Sequence, residues 1–300
     1  MAKYSSMIIG HATLDTNTDH LGNTVKIVGG AVIYSSASAY ALGHNVLAVT
    51  KLAKKDMDRL EQFTIPKENI ICLPSEKSTD MVNIYHTADK ERRTCSCLSK
   101  GDPFTPAEIP NADASIYHLA GLVFGDFNKE LIVSLAKRGD VAVDVQAMLR
   151  HVNPDGSMHF EDWKDKKECL PYVRYLKTDA AEAEIMTGCT DRKEAAKHLY
   201  SWGAKEIMIT HNTEVLVYDG KDFFTCPIKA RNLSGRTGRG DTTFAAYINE
   251  RLDKSMQEAL LTATATVSLK METPGPFKGT KADIDAYIAE LYPEEKAALK

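Results

Sequence analysis

Short apolar, β-rich runs alternate with helical patterns along most of this 300-residue chain, and that alternation narrows the folds open to it. SSMIIG, NVLAVT, SIYHLAG, VAVDV, YVRYLKT, KEIMIT and EVLVYDG read as strands. AVIYSSASAYALG (31–43), KKDMDRLEQF, NKELIVSLAKRG and RKEAAKHLYSWG read as helices, the first closed by Gly43. A long polar connection follows VAVDV, and helical patterns recur at 241–252, about 255–270 and about 281–291. Parallel strands need long crossovers, usually helical. The chain therefore predicts an α/β fold, with a central, mostly parallel sheet covered on both faces by helices.

Two stretches break the alternation. MVNIYHTADKERRTCSCLSKG (81–101) reads as two strands around the charged turn ADKE, and TNTDHLGNTVKIVGG (16–30) has a similar strand–turn–strand pattern. A hairpin is not a parallel crossover. These pieces predict a small lid sheet, with hairpins at about 14–28 and 82–100, within a single domain of residues 1–300. A net charge of −4 and the lack of a basic stripe argue against a nucleic-acid partner. No apolar run approaches the roughly 18 residues of a spanning helix, so a soluble cytoplasmic protein with no membrane partner is expected. Cys72, Cys95, Cys97, Cys169, Cys189 and Cys226 read as reduced thiols, since one C-x-C without a second pair is a poor zinc signal.

The chemistry concentrates in SGRTGRGDTTFAAYI (234–248). Phe244, Ala245 and Ile248 form a helical stripe, so GRTGRGD lies at a helix N-terminus, where free N–H groups and the macrodipole attract anions. Gly238 and Gly240 let successive amides turn inward as an anion nest. Asp241 at or near the N-cap reads as a simple cap or as a base. A carboxylate beside an anion nest suits a hydroxyl attacking a phosphate between them. The chain has no Walker P-loop, no dinucleotide-binding G-x-G-x-x-G after the first strand, and no protein-kinase signature.

With these residues in place, the sequence resembles the ribokinase or PfkB carbohydrate-kinase family. Gly238-Arg239-Gly240-Asp241 is similar to the family's G-A-G-D, and Gly29-Gly30 before the small-residue helix matches its N-terminal signature. Asp15 matches an acid after the first strand. Asp179-Ala-Ala-Glu182 before Thr187-Gly188 matches an N-x-x-E element. DVQAMLR and SLKMETPGPFKGT resemble the myo-inositol-kinase-like branch. The resemblance implies a ribokinase-like three-layer α/β/α domain.

It also implies that Asp241 is the catalytic base and that Gly238, Arg239 and Gly240 form an anion hole. Glu182, with Asp179, would organise Mg2+ through water, alongside ATP as donor. The acceptor site would take Asp15, Gly29, Gly30, Gln146, Arg150 and Arg93. Asp144 and Asn83 read either as acceptor contacts or as structural residues. The nucleotide site would take Thr210, Arg236, Gly238, Gly240, Lys270 and Gly275. Arg236 and Arg239 either reach phosphate oxygens or point to solvent. Gly235-Arg236-Thr237 replaces the usual segment that helps form a monovalent-cation site, which argues against bound potassium. His211-Asn212-Thr213-Glu214 replaces a glycine-bearing turn beside the nucleotide.

The expected activity is transfer of the γ-phosphate of ATP to a hydroxyl of a small sugar or polyol, by a monomer or homodimer. A nucleoside kinase, with Tyr34 and Tyr85 as stacking aromatics, and a non-catalytic sensor remain as alternatives.

Overall fold

The computed structural model describes residues 3–87 and 92–299, so the predicted ADKE turn lies outside the described residues. Its main sheet has nine strands. From one edge these are β15 (Phe223–Pro227), β14 (Glu214–Tyr218), β13 (Glu206–Thr210), β12 (Tyr175–Asp179), β9 (Asp140–Asp144), β8 (Ala114–Leu119), β1 (Tyr4–Ile9), β4 (Val46–Leu52) and β5 (Ile70–Pro74). Pairing is parallel from β13 to β5, and the β14–β15 hairpin adds an antiparallel edge. β5 and β15, each five residues long and ending in proline, were not among the expected strands.

Alternate strand residues supply two opposed cores. Met7, Ile9, Leu119 and Ile207 pack with α2 (Lys129–Ala136), α5 (Ala180–Thr187) and α6 (Arg192–Ser201). Ile8 faces α1 (Ala31–Ala41). Ile116 and Met208 face α7 (Arg239–Glu250), α8 (Met256–Lys270) and α9 (Lys281–Leu291), and α10 (Pro293–Ala297) closes the described chain. The expected three-layer α/β/α architecture is present.

The small residues of α1 have a specific use. Ser38 Oγ donates to the Thr242 carbonyl at 3.0 Å and Ser35 Oγ to the Asp241 carbonyl at 3.3 Å, so α1 and the start of α7 approach closely.

The lid is one four-stranded sheet in the order β3 (Thr24–Gly29), β2 (Thr13–Thr18), β6 (Asp80–Tyr85), β7 (Arg93–Ser99). Both expected hairpins are antiparallel, and a parallel β2–β6 ladder joins them. Cys95 and Cys97 lie in β7, and all six cysteines are free thiols.

Local details differ from the expectation. KKDMDRLEQF forms a 3-10 run at Lys54–Gln62 with a break at Asp56, because only Arg59 is buried and no apolar stripe holds an α-helix. The connection after β9 is structured: α3 (Gln146–Leu149), the β10 (Arg150–Val152) and β11 (Met158–Phe160) hairpin, and α4 (Lys166–Cys169). The strand read from YVRYLKT begins only at Tyr175, after a 3-10 turn at Leu170–Tyr172.

Candidate active site

Open α/β sheets bind ligands beyond the carboxyl ends of their strands. Here the ends of β9, β12 and β13 meet the start of α7 beneath the lid. Gly238 is the N-cap of α7 with φ +80°, and a Cβ there would fall 2.2 Å from Tyr34 Cδ1. Glycine satisfies both conditions.

α7 begins at Arg239, earlier than expected, so Asp241 is its third residue and not its cap. First-turn N–H groups have no intrahelical partner. The Arg239 N–H donates to the Arg236 carbonyl at 3.3 Å. Among the described residues no backbone bond occupies the N–H groups of Gly238, Gly240 or Asp241. The free amides thus differ by one from the expected set: Arg239 is engaged and Asp241 is available.

Asp241 lines two cavities, of about 310 and about 80 Å³, which share Arg93, Gln146, Arg150, Thr237 and Gly238 as further walls. Loss of hydration pushes the Asp241 carboxyl up to about 6, and Asp144 adds to this. Lys177, Arg150 and Lys270 act in the other direction. An acid poised near neutrality can take a proton from an alcohol and return it to water.

The larger cavity is strongly polar. Thr210, Asp179, Glu182, Arg236 and Arg239 line it. Arg236 Nη2 donates to Asn212 Oδ1 at 3.1 Å, and both terminal nitrogens of Arg239 donate to the same oxygen at 3.3 Å. Asn212 therefore holds the two guanidinium groups together at one end of the cavity.

Lys177 was not singled out by sequence. It sits at the third position of β12, is buried, and places Nζ 2.9 Å from Asp144 Oδ2 and 4.0 Å from Glu182 Oε2. A Cβ on Gly240 would lie 3.1 Å from that Nζ, so the ammonium reaches the anion turn. Burial alone would lower its pKa, but Asp144, Glu182 and Asp179 raise it, and Lys177 stays charged. Burial raises the Glu182 carboxyl against the pull of Lys177. The available signal was a lysine in the middle of a central parallel strand.

A magnesium ion is implied by the resemblance. Asp179 Oδ1 accepts the Glu182 N–H and Glu182 Oε2 accepts the Asp179 N–H, each at 2.8 Å. One oxygen of each carboxylate is thereby used in capping α5. Among the described residues no three His, Cys, Asp or Glu side chains cluster to hold an ion directly. The pair suits a hydrated ion held through water.

The smaller cavity lies under the lid. Asp15 accepts a hydrogen bond from Thr13 Oγ1 at 2.6 Å, and burial raises its carboxyl. Gln146 and Arg150, four residues apart, join through Oε1 and Nη2 at 2.6 Å. Asn83, Tyr34 and Gly30 complete the wall. Gly29, Lys270 and Gly275 line neither cavity. Gly29 sits against Asp15, and Lys270 is buried behind the turn. Tyr85 joins lid to turn, its hydroxyl 3.1 Å from Thr237 Oγ1.

A doubly covered α/β sheet, a β-sheet lid and a carboxyl at a glycine-rich helix start together define a ribokinase-like small-molecule kinase. The chain matches the pfkB family carbohydrate kinase model over residues 2–282 and belongs to that family, as a phosphotransferase. It is 30% identical to a pyrophosphate-dependent kinase of the ribokinase family solved with sulfate. That match has a TM-score of 0.86 and covers 94% of this chain and 99% of the other. A pyrophosphate-dependent kinase of the same family, complexed with a pyrophosphate analog and myo-inositol, is 29% identical with a TM-score of 0.85, again over 94% and 99%. A cytidine kinase of Thermococcus kodakarensis is 29% identical over 252 residues, 81% of this chain and 86% of that protein. Ribokinase of Arabidopsis thaliana shares the fold, with a TM-score of 0.76 at 17% identity over 96% and 99% of the two chains. Among the described residues no helix is long and apolar enough to cross a membrane.

Proposed function

We propose that the protein transfers a phosphoryl group to one hydroxyl of a small polyol such as myo-inositol, with inorganic pyrophosphate as donor. The observation that carries the reading is the single carboxyl, Asp241, shared by a cationic cavity and a narrow polar one. Asp15, Asn83, Gln146 and Arg150 offer matched donors and acceptors to ring hydroxyls. Asp241 accepts the proton as the hydroxyl attacks. The amides of Gly238, Gly240 and Asp241, with Lys177, stabilise the phosphoryl oxygens. Arg236 and Arg239 hold the far phosphate. A hydrated magnesium ion beside Asp179 and Glu182 would add charge neutralisation when bound.

Pyrophosphate is favoured over ATP because, among the described residues, no aliphatic side chain lines the larger cavity, whereas an adenine ring calls for an apolar slot. The pyrophosphate-dependent relatives support the same reading. ATP, the donor implied by the family resemblance, is the competing arm. A nucleoside acceptor, suggested by the cytidine kinase relative, is a second reading.

The test is phosphoryl transfer measured with pyrophosphate and with ATP, each against inositols, hexoses and nucleosides. Turnover of myo-inositol or a similar polyol with pyrophosphate is the expected result. Exclusive use of ATP would overturn the donor assignment. Phosphorylation of nucleosides alone would overturn the acceptor assignment.

A further inference from the structure

Lys270 ends α8 and is 1% exposed. Its Nζ donates to the carbonyl oxygens of Gly235 and Thr237, in the turn that leads into α7. The same ammonium lies 4.9 Å from the centre of the Tyr34 ring, the ring that packs under Gly238. The main chain repeats the attachment: the Gly235 N–H donates to the Met271 carbonyl at 2.7 Å. A Cβ on Gly235 would fall 1.8 Å from the Thr273 carbonyl oxygen, so no larger residue fits that approach.

Two carbonyl oxygens turned toward one point repel each other unless positive charge sits between them. In a trans peptide the C=O and the following N–H point in opposite directions. With the Thr237 oxygen held by Lys270, the Gly238 N–H points away from Lys270. The cavity lies on that side, since Thr237 and Gly238 line it and Lys270 does not. The ammonium thus sets the orientation of an anion-binding amide without touching the anion. It is also one of the three cations that oppose the upward shift of Asp241.

We propose that Lys270 is a positioning residue for phosphoryl transfer, an internal cation that holds the anion turn in register and takes the place of a free monovalent ion. This deepens the reading above and rests on it. The consequence is specific: wild-type turnover is indifferent to potassium.

The test has two arms. In the first, wild-type transfer to the working polyol is measured in sodium, potassium and tetramethylammonium chloride at equal ionic strength, and equal rates are expected. K270M should lose about 10²-fold in kcat, comparable to removal of one oxyanion donor, with little change in acceptor KM. Its acidic pH limb should move upward, and ammonium chloride should restore more activity than sodium chloride. K270Q, which keeps an N–H donor without the charge, takes the same measurements if K270M does not fold.

The second arm needs no acceptor. Hydrogen exchange should quicken at 235–241 in the variant while the body of α8 keeps its protection. Potassium-dependent wild-type turnover, unimpaired kcat in the variant, or unchanged exchange at 235–241 would each overturn the proposal. Absence of transfer by wild type to every acceptor would instead overturn the polyol-kinase reading, and the exchange arm would still decide whether Lys270 holds the turn.

Discussion

The Tyr85 hydroxyl lies 3.1 Å from Thr237 Oγ1, so the lid touches the turn that leads into α7 at the residue before Gly238. Lid position and turn geometry are therefore linked through one hydroxyl pair. Y85F should lower kcat/KM for the polyol by about 3–10-fold, the value of one hydrogen bond at roughly 0.5–1.5 kcal/mol. Hydrolysis of the donor by water should rise relative to transfer, because a loosely held lid admits solvent. Phosphate release with and without acceptor measures that ratio; an unchanged ratio means the contact does not govern closure.

Asp241 gives a prediction with a definite pH signature. D241N should retain donor binding and lose about 10²–10⁴-fold in turnover. In wild type the rate should fall as pH drops through about 6, where the carboxyl takes up its proton. The stability effect has the opposite sense. A folded-state pKa raised above the ordinary carboxylate value means that the folded protein binds the proton more tightly. Ionised Asp241 therefore costs stability at neutral pH, and that cost vanishes as pH falls through 6 toward 4. D241N should melt a few degrees above wild type at pH 8, with the gap closing below pH 5. Thermal melts across pH, read beside the rate profile, separate a base from a cap.

Lys177 stands between Asp144 and Glu182, with an Nζ to Asp144 Oδ2 distance of 2.9 Å. K177M should reduce kcat strongly and destabilise the fold by about 3–5 kcal/mol, since it strands buried carboxylates. The double variant K177M/D144N should recover much of the stability and little of the turnover. Recovery of both would make Lys177 a structural ion-pair partner only. Denaturant melts and kcat on the three proteins make the comparison.

The extent to which the chain announced this site depended on the distance over which each residue acts. Gly238 and Asp241 were legible because a left-handed turn feeding an apolar helical stripe is a local pattern. The two lid hairpins were legible for the same reason, but their parallel β2–β6 junction was not, since turn chemistry specifies only neighbouring strands. Lys177 was hidden within YVRYLKT, where strand alternation gives a face but not the charges waiting there. Lys270 was expected beside the nucleotide; it donates to carbonyls 35 and 33 residues earlier, a distance no local pattern spans. The hairpin of β10 and β11 escaped because three-residue strands carry too little pattern to separate from a loop.

The proposed donor site puts weight on the paired arginines. Arg236 and Arg239 converge on Asn212 Oδ1 at 3.1–3.3 Å, which ties both forks together in the larger cavity, where neither lines the smaller one. Charge-assisted bonds to a phosphate contribute about 1.5–3 kcal/mol each. R236Q and R239Q should each raise the KM for pyrophosphate about tenfold or more, with acceptor KM unchanged. N212A keeps both charges but releases their alignment, so it should raise the same KM by a smaller factor. If pyrophosphate is the donor, its KM should respond to the arginines more steeply than that of ATP, whose base adds contacts elsewhere. Equal sensitivity of both donors would place the arginines at a phosphate common to the two and remove them as selectors between donors. Initial rates with each donor, across the three variants, supply the comparison.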